Sequence, residues 1–169
     1  TRIPAGSEWL LDGPTRVVAV ETPAVEDTLG TDGYTDLIVL GSLVTQAVAP
    51  DSVWFESVAK DGANGDDWAG ITVGAGGVGI LSGCDIGYAL RGVYFASAGS
   101  ATLLDSRVHE CAQEGVLDFA SNALIRGCTM TRGALDPAIE ATAIHTKASV
   151  PQILENTIGW QNDYGIWLQ

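Results

Sequence analysis

From Leu81 to Ile158 the chain repeats one short alternation of apolar and turn-forming positions four times. The copies are Leu81-Ser-Gly-Cys84-Asp-Ile86, Leu103-Leu-Asp-Ser106-Arg-Val108, Ile125-Arg-Gly-Cys128-Thr-Met130 and Ile153-Leu-Glu-Asn156-Thr-Ile158. A small residue followed by an aliphatic one comes after each copy: Gly92-Val93, Gly115-Val116, Ala143-Ile144 and Gly165-Ile166, with Gly70-Ile71 one step earlier. Successive anchors lie 22, 22 and 28 residues apart, from 81 to 103 to 125 to 153. A fixed period in this range marks a solenoid, in which each repeat buries its apolar side against its neighbours.

The spacing within a repeat fixes side-chain directions. Cys84 and Ile86 are two apart and point the same way, into the core, whereas Leu81, three before Cys84, requires a bend between them. The Gly before Val93 suits a tight corner with positive φ. Leu37–Leu40, Leu43–Val44, Val53–Phe55 and Ile71–Val73 read as further short strands, separated by Gly, Pro, Asn and Asp. No segment sustains an apolar 3.6-residue period over a substantial helix. The expected fold is all-β: a right-handed, single-stranded parallel β-helix of about six rungs of about 22 residues. Residues 1–35 lack the repeat and read as an N-terminal cap or degenerate rung, and residues 36–169 as the β-helix.

Stacking the rungs about 4.8 Å apart brings particular residues into columns. Cys84, Ser106, Cys128 and Asn156 form an inward column whose Ser and Asn can bond backbone groups at the bend. Cys84 and Cys128 are then two rungs apart, roughly 9–10 Å, too far for a disulfide. Asp85 falls beside Arg107, and Arg91 beside Glu114, as cross-strand ion pairs. Thr72, Tyr94, Leu117, His145 and Trp167 each follow a buried residue and therefore form an outward column. Its aromatic members Tyr94, His145 and Trp167 are the candidate glycan-binding residues, because the apolar faces of pyranoses pack on aromatic planes.

About six extra residues lie between Met130 and Ile144, and in solenoids such insertions map to loops, often on the binding face. They carry Arg132, Asp136 and Glu140 toward His145 and Lys147. Asp136, Glu140, His145 and Lys147 are thus the candidates for acid–base catalysis. His109, Glu110 and Glu114 flank a turn and read as hydrogen-bonding surface groups. Asp61, Asn64, Asp66 and Asp67 supply oxygen ligands that Ca²⁺ accepts, although without the EF-hand spacing, and calcium is the only cofactor the chain suggests.

The repeat phrases and their Asn156 position resemble the right-handed parallel β-helix repeat family, within the pectate-lyase-like superfamily. The runs Leu40-Gly-Ser-Leu43, Val53-Trp-Phe-Glu-Ser57 and Gly65-Asp-Asp-Trp68-Ala-Gly70-Ile71 are similar to the opening of its secreted members. The resemblance implies an extracellular or cell-surface location and spans roughly residues 36–169. It does not carry over catalytic residues. Of the ordered motifs of pectin-hydrolase-like enzymes only Asp66-Asp67 is present, and the Asp-Pro-His-Asp of mannuronan epimerases is replaced by Asp136-Pro137-Ala-Ile.

Charge narrows the partners. Twenty-one acidic residues against eight Lys plus Arg give a net charge of −13. The cations are scattered, which argues against nucleic acid, and no apolar run reaches the ~18 residues of a membrane-inserted span. The chain begins at Thr1 and stops within the apolar strand Gly165–Gln169. It therefore reads as a piece of a longer protein or as a solenoid whose end rung stacks on another molecule. The leading reading is a non-catalytic extracellular module with a surface or matrix scaffold role, contacting polysaccharide or self-assembling end to end. The alternative is a polysaccharide-acting enzyme, a uronate lyase, hydrolase or epimerase, or a fragment of one.

Overall fold

The computed structural model describes residues 1–19, 36–48, 52–57, 68–131, 141–159 and 164–169. Short strands follow one another three to a turn. The first rung holds β1 (Arg2–Ile3), β2 (Glu8–Asp12) and β3 (Thr15–Ala19). The second holds β4 (Asp36–Val39), β5 (Ser42–Gln46) and β6 (Val53–Ser57), and the third β7 (Gly70–Val73), β8 (Val78–Ser82) and β9 (Cys84–Gly87). The fourth comprises β10 (Arg91–Ala96), β11 (Ser100–Leu104) and β12 (Arg107–His109), and the fifth β13 (Glu114–Phe119), β14 (Leu124–Arg126) and β15 (Thr129–Thr131). The sixth consists of β16 (Thr142–Lys147), β17 (Gln152–Leu154) and β18 (Thr157–Gly159), and β19 (Tyr164–Leu168) opens a seventh.

Every strand pairs in parallel with its counterparts in the adjacent rungs. Sheet A contains the seven strands β1, β4, β7, β10, β13, β16 and β19. Sheet B runs through β2, β5, β8, β11, β14 and β17, and sheet C through β3, β6, β9, β12, β15 and β18. This is a right-handed parallel β-helix of about six rungs, with no helix among the described residues. The register matches the repeat read from the sequence: Leu81 pairs with Leu103 and Leu103 with Ile125, while Ile86 pairs with Val108 and Val108 with Met130. Inward side chains from all three sheets share one core. Ile71, Val93, Val116 and Ile144 from sheet A, Leu81, Leu103 and Ile125 from B, and Phe55, Ile86, Val108 and Met130 from C are all fully buried.

The corner between sheets B and C explains the first repeat phrase. Gly83 (φ 65°), Asp105 (45°), Gly127 (67°) and Glu155 (57°) stack in the left-handed conformation that turns the chain sharply. Beside them the inward column closes the backbone hydrogen bonds that the turn leaves open. The Cys84 N–H donates to Ser106 Oγ at 3.0 Å, and the Cys128 N–H to Asn156 Oδ1 at 2.8 Å. Asn156 Nδ2 in turn donates to the Ile125 carbonyl at 2.9 Å. Cys84, Cys111 and Cys128 are free thiols, so the Cys84–Cys128 pair is unbridged as the rung spacing requires. Burial pushes their pKa values up, to about 12 for Cys84 and Cys111 and about 11 for Cys128.

The corner between sheets C and A departs from expectation. Gly92 does not take positive φ; that conformation falls on Tyr88 (59°) and Glu110 (53°) at the end of the preceding strands. Gly92 is required for another reason. A Cβ there would sit 2.5 Å from the Gly115 carbonyl oxygen and 2.7 Å from Val108 Cγ1. The chain crosses this corner in three residues between β9 and β10 and four between β12 and β13. Longer stretches separate β3 from β4, β6 from β7 and β15 from β16. The inserted segment read from the sequence thus leaves sheet C at Thr131 and rejoins the fold on sheet A at Thr142.

Candidate functional site

The outer face of sheet A is assembled by register alone. Ile38 pairs with Thr72, Thr72 with Tyr94, Tyr94 with Leu117, Leu117 with His145 and His145 with Trp167. Tyr94, His145 and Trp167 therefore lie in one axial column, His145 and Trp167 on adjacent rungs and Tyr94 two rungs from His145. The His145 and Trp167 rings stack with centroids 4.4 Å apart and planes 7° from parallel, and Tyr164 tilts against Trp167 at 5.5 Å. The indole remains 36% exposed.

At the other end of the column lies a groove of about 350 Å³. Ile38, Leu40 and Ala96 form apolar walls, Thr72 and Tyr94 contribute hydroxyls, and Arg91 closes one side. Ala69, Gly74 and Ala75, which also line it, add almost no side chain and leave it open.

A polar chain runs beside the column across four rungs. Arg91 Nε donates to Glu114 Oε2 at 2.9 Å, and its Nη2 donates to Gln113 Oε1 at 2.6 Å. The other oxygen of Glu114 lies 3.5 Å from His145 Nδ1, and His145 Nε2 lies 3.4 Å from Gln169 Oε1. Glu114 is thus shared between a guanidinium and an imidazole, fixing both against the sheet. Such a carboxylate–histidine pair can orient the ring for hydrogen bonding to a bound hydroxyl or for proton transfer.

Sheet C carries a second cluster around His109, a histidine expected at the surface and found in the interior. His109 is only 8% exposed. Its Nε2 lies 2.7 Å from Asp85 Oδ1 and its Nδ1 2.9 Å from Glu110 Oε2, while the Tyr88 ring meets it edge-on at 5.5 Å. Gly87 makes room, since a Cβ there would fall against the imidazole. Burial raises the Asp85 pKa, but the hydrogen bond and charge of His109, joined by Arg107, outweigh it and hold the carboxyl below its usual range. Burial and Glu110 push the Tyr88 hydroxyl up. Both ring nitrogens of His109 are engaged within the fold, so the cluster ties neighbouring rungs together.

The candidates from sequence divide accordingly. Tyr94, His145 and Trp167 are brought into one column. Lys147 is exposed and occupies the neighbouring outward column, paired with Phe119. Asp136 and Glu140, and Asp61, Asn64, Asp66 and Asp67 proposed for calcium, lie outside the described residues. Glu114, Gln113 and Gln169 were not singled out as site residues. Glu114 is in register with Thr142, not with His145, so only side-chain reach across the diagonal reveals the contact.

Residues 61–169, more than half of the chain, match the family described as the right-handed β-helix region. Comparison with curated proteins and with solved structures returned no match.

Proposed function

As the chain belongs to the right-handed β-helix family, we propose that it is a non-catalytic extracellular β-helix module with a scaffold role at a surface or in a matrix, contacting glycans through the outer face of sheet A. The observation that carries this reading is the axial column from the Tyr94 groove to the His145–Trp167 stack. Aromatic and apolar surface is presented there, beside hydroxyl and amide groups able to bond sugar hydroxyls. Arg91 is neutralised by Glu114, and the chain carries −13 overall, so the face favours a neutral glycan over a polyuronate. End-on association is a further element of the proposal.

The second reading, a polysaccharide-acting enzyme, is favoured by one observation, the Glu114–His145 pair on the same face. Two substitutions separate the readings. On a glycan array, Trp167→Ala should abolish retention of the bound glycan with little change in melting temperature, because the indole is surface-exposed. Retention unchanged by Trp167→Ala would remove the aromatic column from the binding site. In reducing-sugar and unsaturated-uronide assays on the retained glycan, the scaffold reading expects no turnover. Turnover that His145→Ala eliminates would establish the enzyme instead.

A further inference from the structure

Sheet B presents a surface unlike the other two. The strands β5, β8 and β11 contain no charged residue, on a chain carrying −13. Their side chains alternate strictly between buried and partly exposed, so one flat face looks outward. Its central outward column is Leu10, Val44, Ile80, Thr102 and Leu124, continuous in register over five rungs. Leu10 is 56% exposed. The adjacent outward column begins with Asp12 paired to Gln46, passes through Ser82 and Leu104, and reaches Arg126. Gln46 stands over Ser82 because Val44 pairs with Ile80 and the Ala47 N–H bonds the Ser82 carbonyl.

The placement of the charges in that second column is self-complementary. Asp12 lies two rungs before Ser82 and Arg126 two rungs after it. We propose that sheet B is a two-fold interface with a second copy of this chain, its axis running parallel to the strands through the rung of Ile80 and Ser82. That operation reverses the order of rungs in the partner while keeping each column over itself. Ile80 meets its own counterpart, Val44 meets Thr102, Leu10 meets Leu124, and Asp12 meets Arg126 twice. An isologous contact requires this kind of self-matching patch. Two strongly acidic bodies approach most closely where fixed charge is sparse, and the middle strands of sheet B, β5, β8 and β11, carry none. Sheets A and C differ in carrying charged side chains on their middle strands, Arg91 and Glu114 on one and Asp85 and Arg107 on the other.

The size of the face sets the strength of the contact. Four five-residue strands and the three-residue β14 cover at most roughly 19 Å by 17 Å, on the order of 300 Å² per copy against about 800 Å² in a stable complex. The dimer therefore forms only at high local concentration, as on a surface carrying many copies.

Sedimentation equilibrium from micromolar to millimolar concentration tests this at near-physiological salt. The wild-type chain should pass from monomer to a closed dimer. Ile80→Lys, which places like charges on the axis, should leave only monomer, and Thr102→Lys should act in the same direction. Asp12→Arg should weaken association about tenfold or more by opposing two arginines, and adding Arg126→Asp should restore it. Circular dichroism shows whether each variant keeps its strands, and the paired charge swap keeps the test decisive if one lysine variant does not fold. The proposal is overturned by a monomer at every concentration, or by association that neither Ile80→Lys nor Asp12→Arg changes. Open-ended growth insensitive to these variants would place the contact at the end rungs.

Discussion

At the scale of single residues, the corners of this solenoid are set by a few backbone conformations that recur rung after rung. The corner between sheets B and C takes the left-handed region at Gly83, Asp105, Gly127 and Glu155. Glycine occupies that region without strain, whereas a Cβ costs roughly 1 kcal/mol there. Glu155 is exposed, so Glu155→Gly should raise stability by about 0.5–1 kcal/mol, read as a shift in the urea midpoint at unchanged slope. An unchanged or lower midpoint would mean that the Glu155 side chain contributes more than its backbone strain costs. Asp85 gives a pH dependence of known sign. Its folded pKa is depressed because His109 and Arg107 outweigh burial. The resulting stabilisation is fully present above the unfolded value of about 3.9 and is lost as pH falls through the folded value. Asp85→Asn should lower stability at neutral pH and flatten the loss below about pH 4. Parallel urea-midpoint profiles for the two proteins would show that the carboxylate does not carry the acid sensitivity.

At the scale of an element, each strand is short and owes its place to the strands on either side. Val108 on β12 is fully buried and is flanked in register by Ile86 and Met130. Val108→Asp puts a carboxylate where neither water nor a cation reaches, at a cost of several kcal/mol. The far-ultraviolet strand signal should be lost at room temperature; a folded spectrum would require that the core rearranges to hydrate the new charge. Columns were easier to foresee than contacts. Alternation and period placed Tyr94, His145 and Trp167 on one line, since those depend on Cα register. The Glu114–His145 contact and the enclosure of His109 between Asp85 and Glu110 depend on side-chain length and rotamer. For His109 one cue was present: Gly87, which stands in register with it, leaves the space the imidazole fills.

At the scale of the whole molecule, stability is graded along the axis because each rung is supported only by its neighbours. Inward residues of β10 and β13 such as Val93, Phe95 and Val116 are fully buried, while Tyr164 to Gln169 are exposed throughout. Amide exchange should therefore be slowest in β10–β13 and fastest in β17–β19. Uniform protection would indicate that the last rung is covered in solution, as end-on association requires. The single repeated phrase was enough to determine the architecture, its register, the buried column and the unbridged cysteines, because a solenoid turns sequence period directly into spatial neighbours. The shape and charge of its faces were decided only in three dimensions. The groove before Tyr94, the shared Glu114 and the uncharged middle of sheet B each arise where side chains from three or more rungs, dozens of residues apart in sequence, meet at distances that no period records.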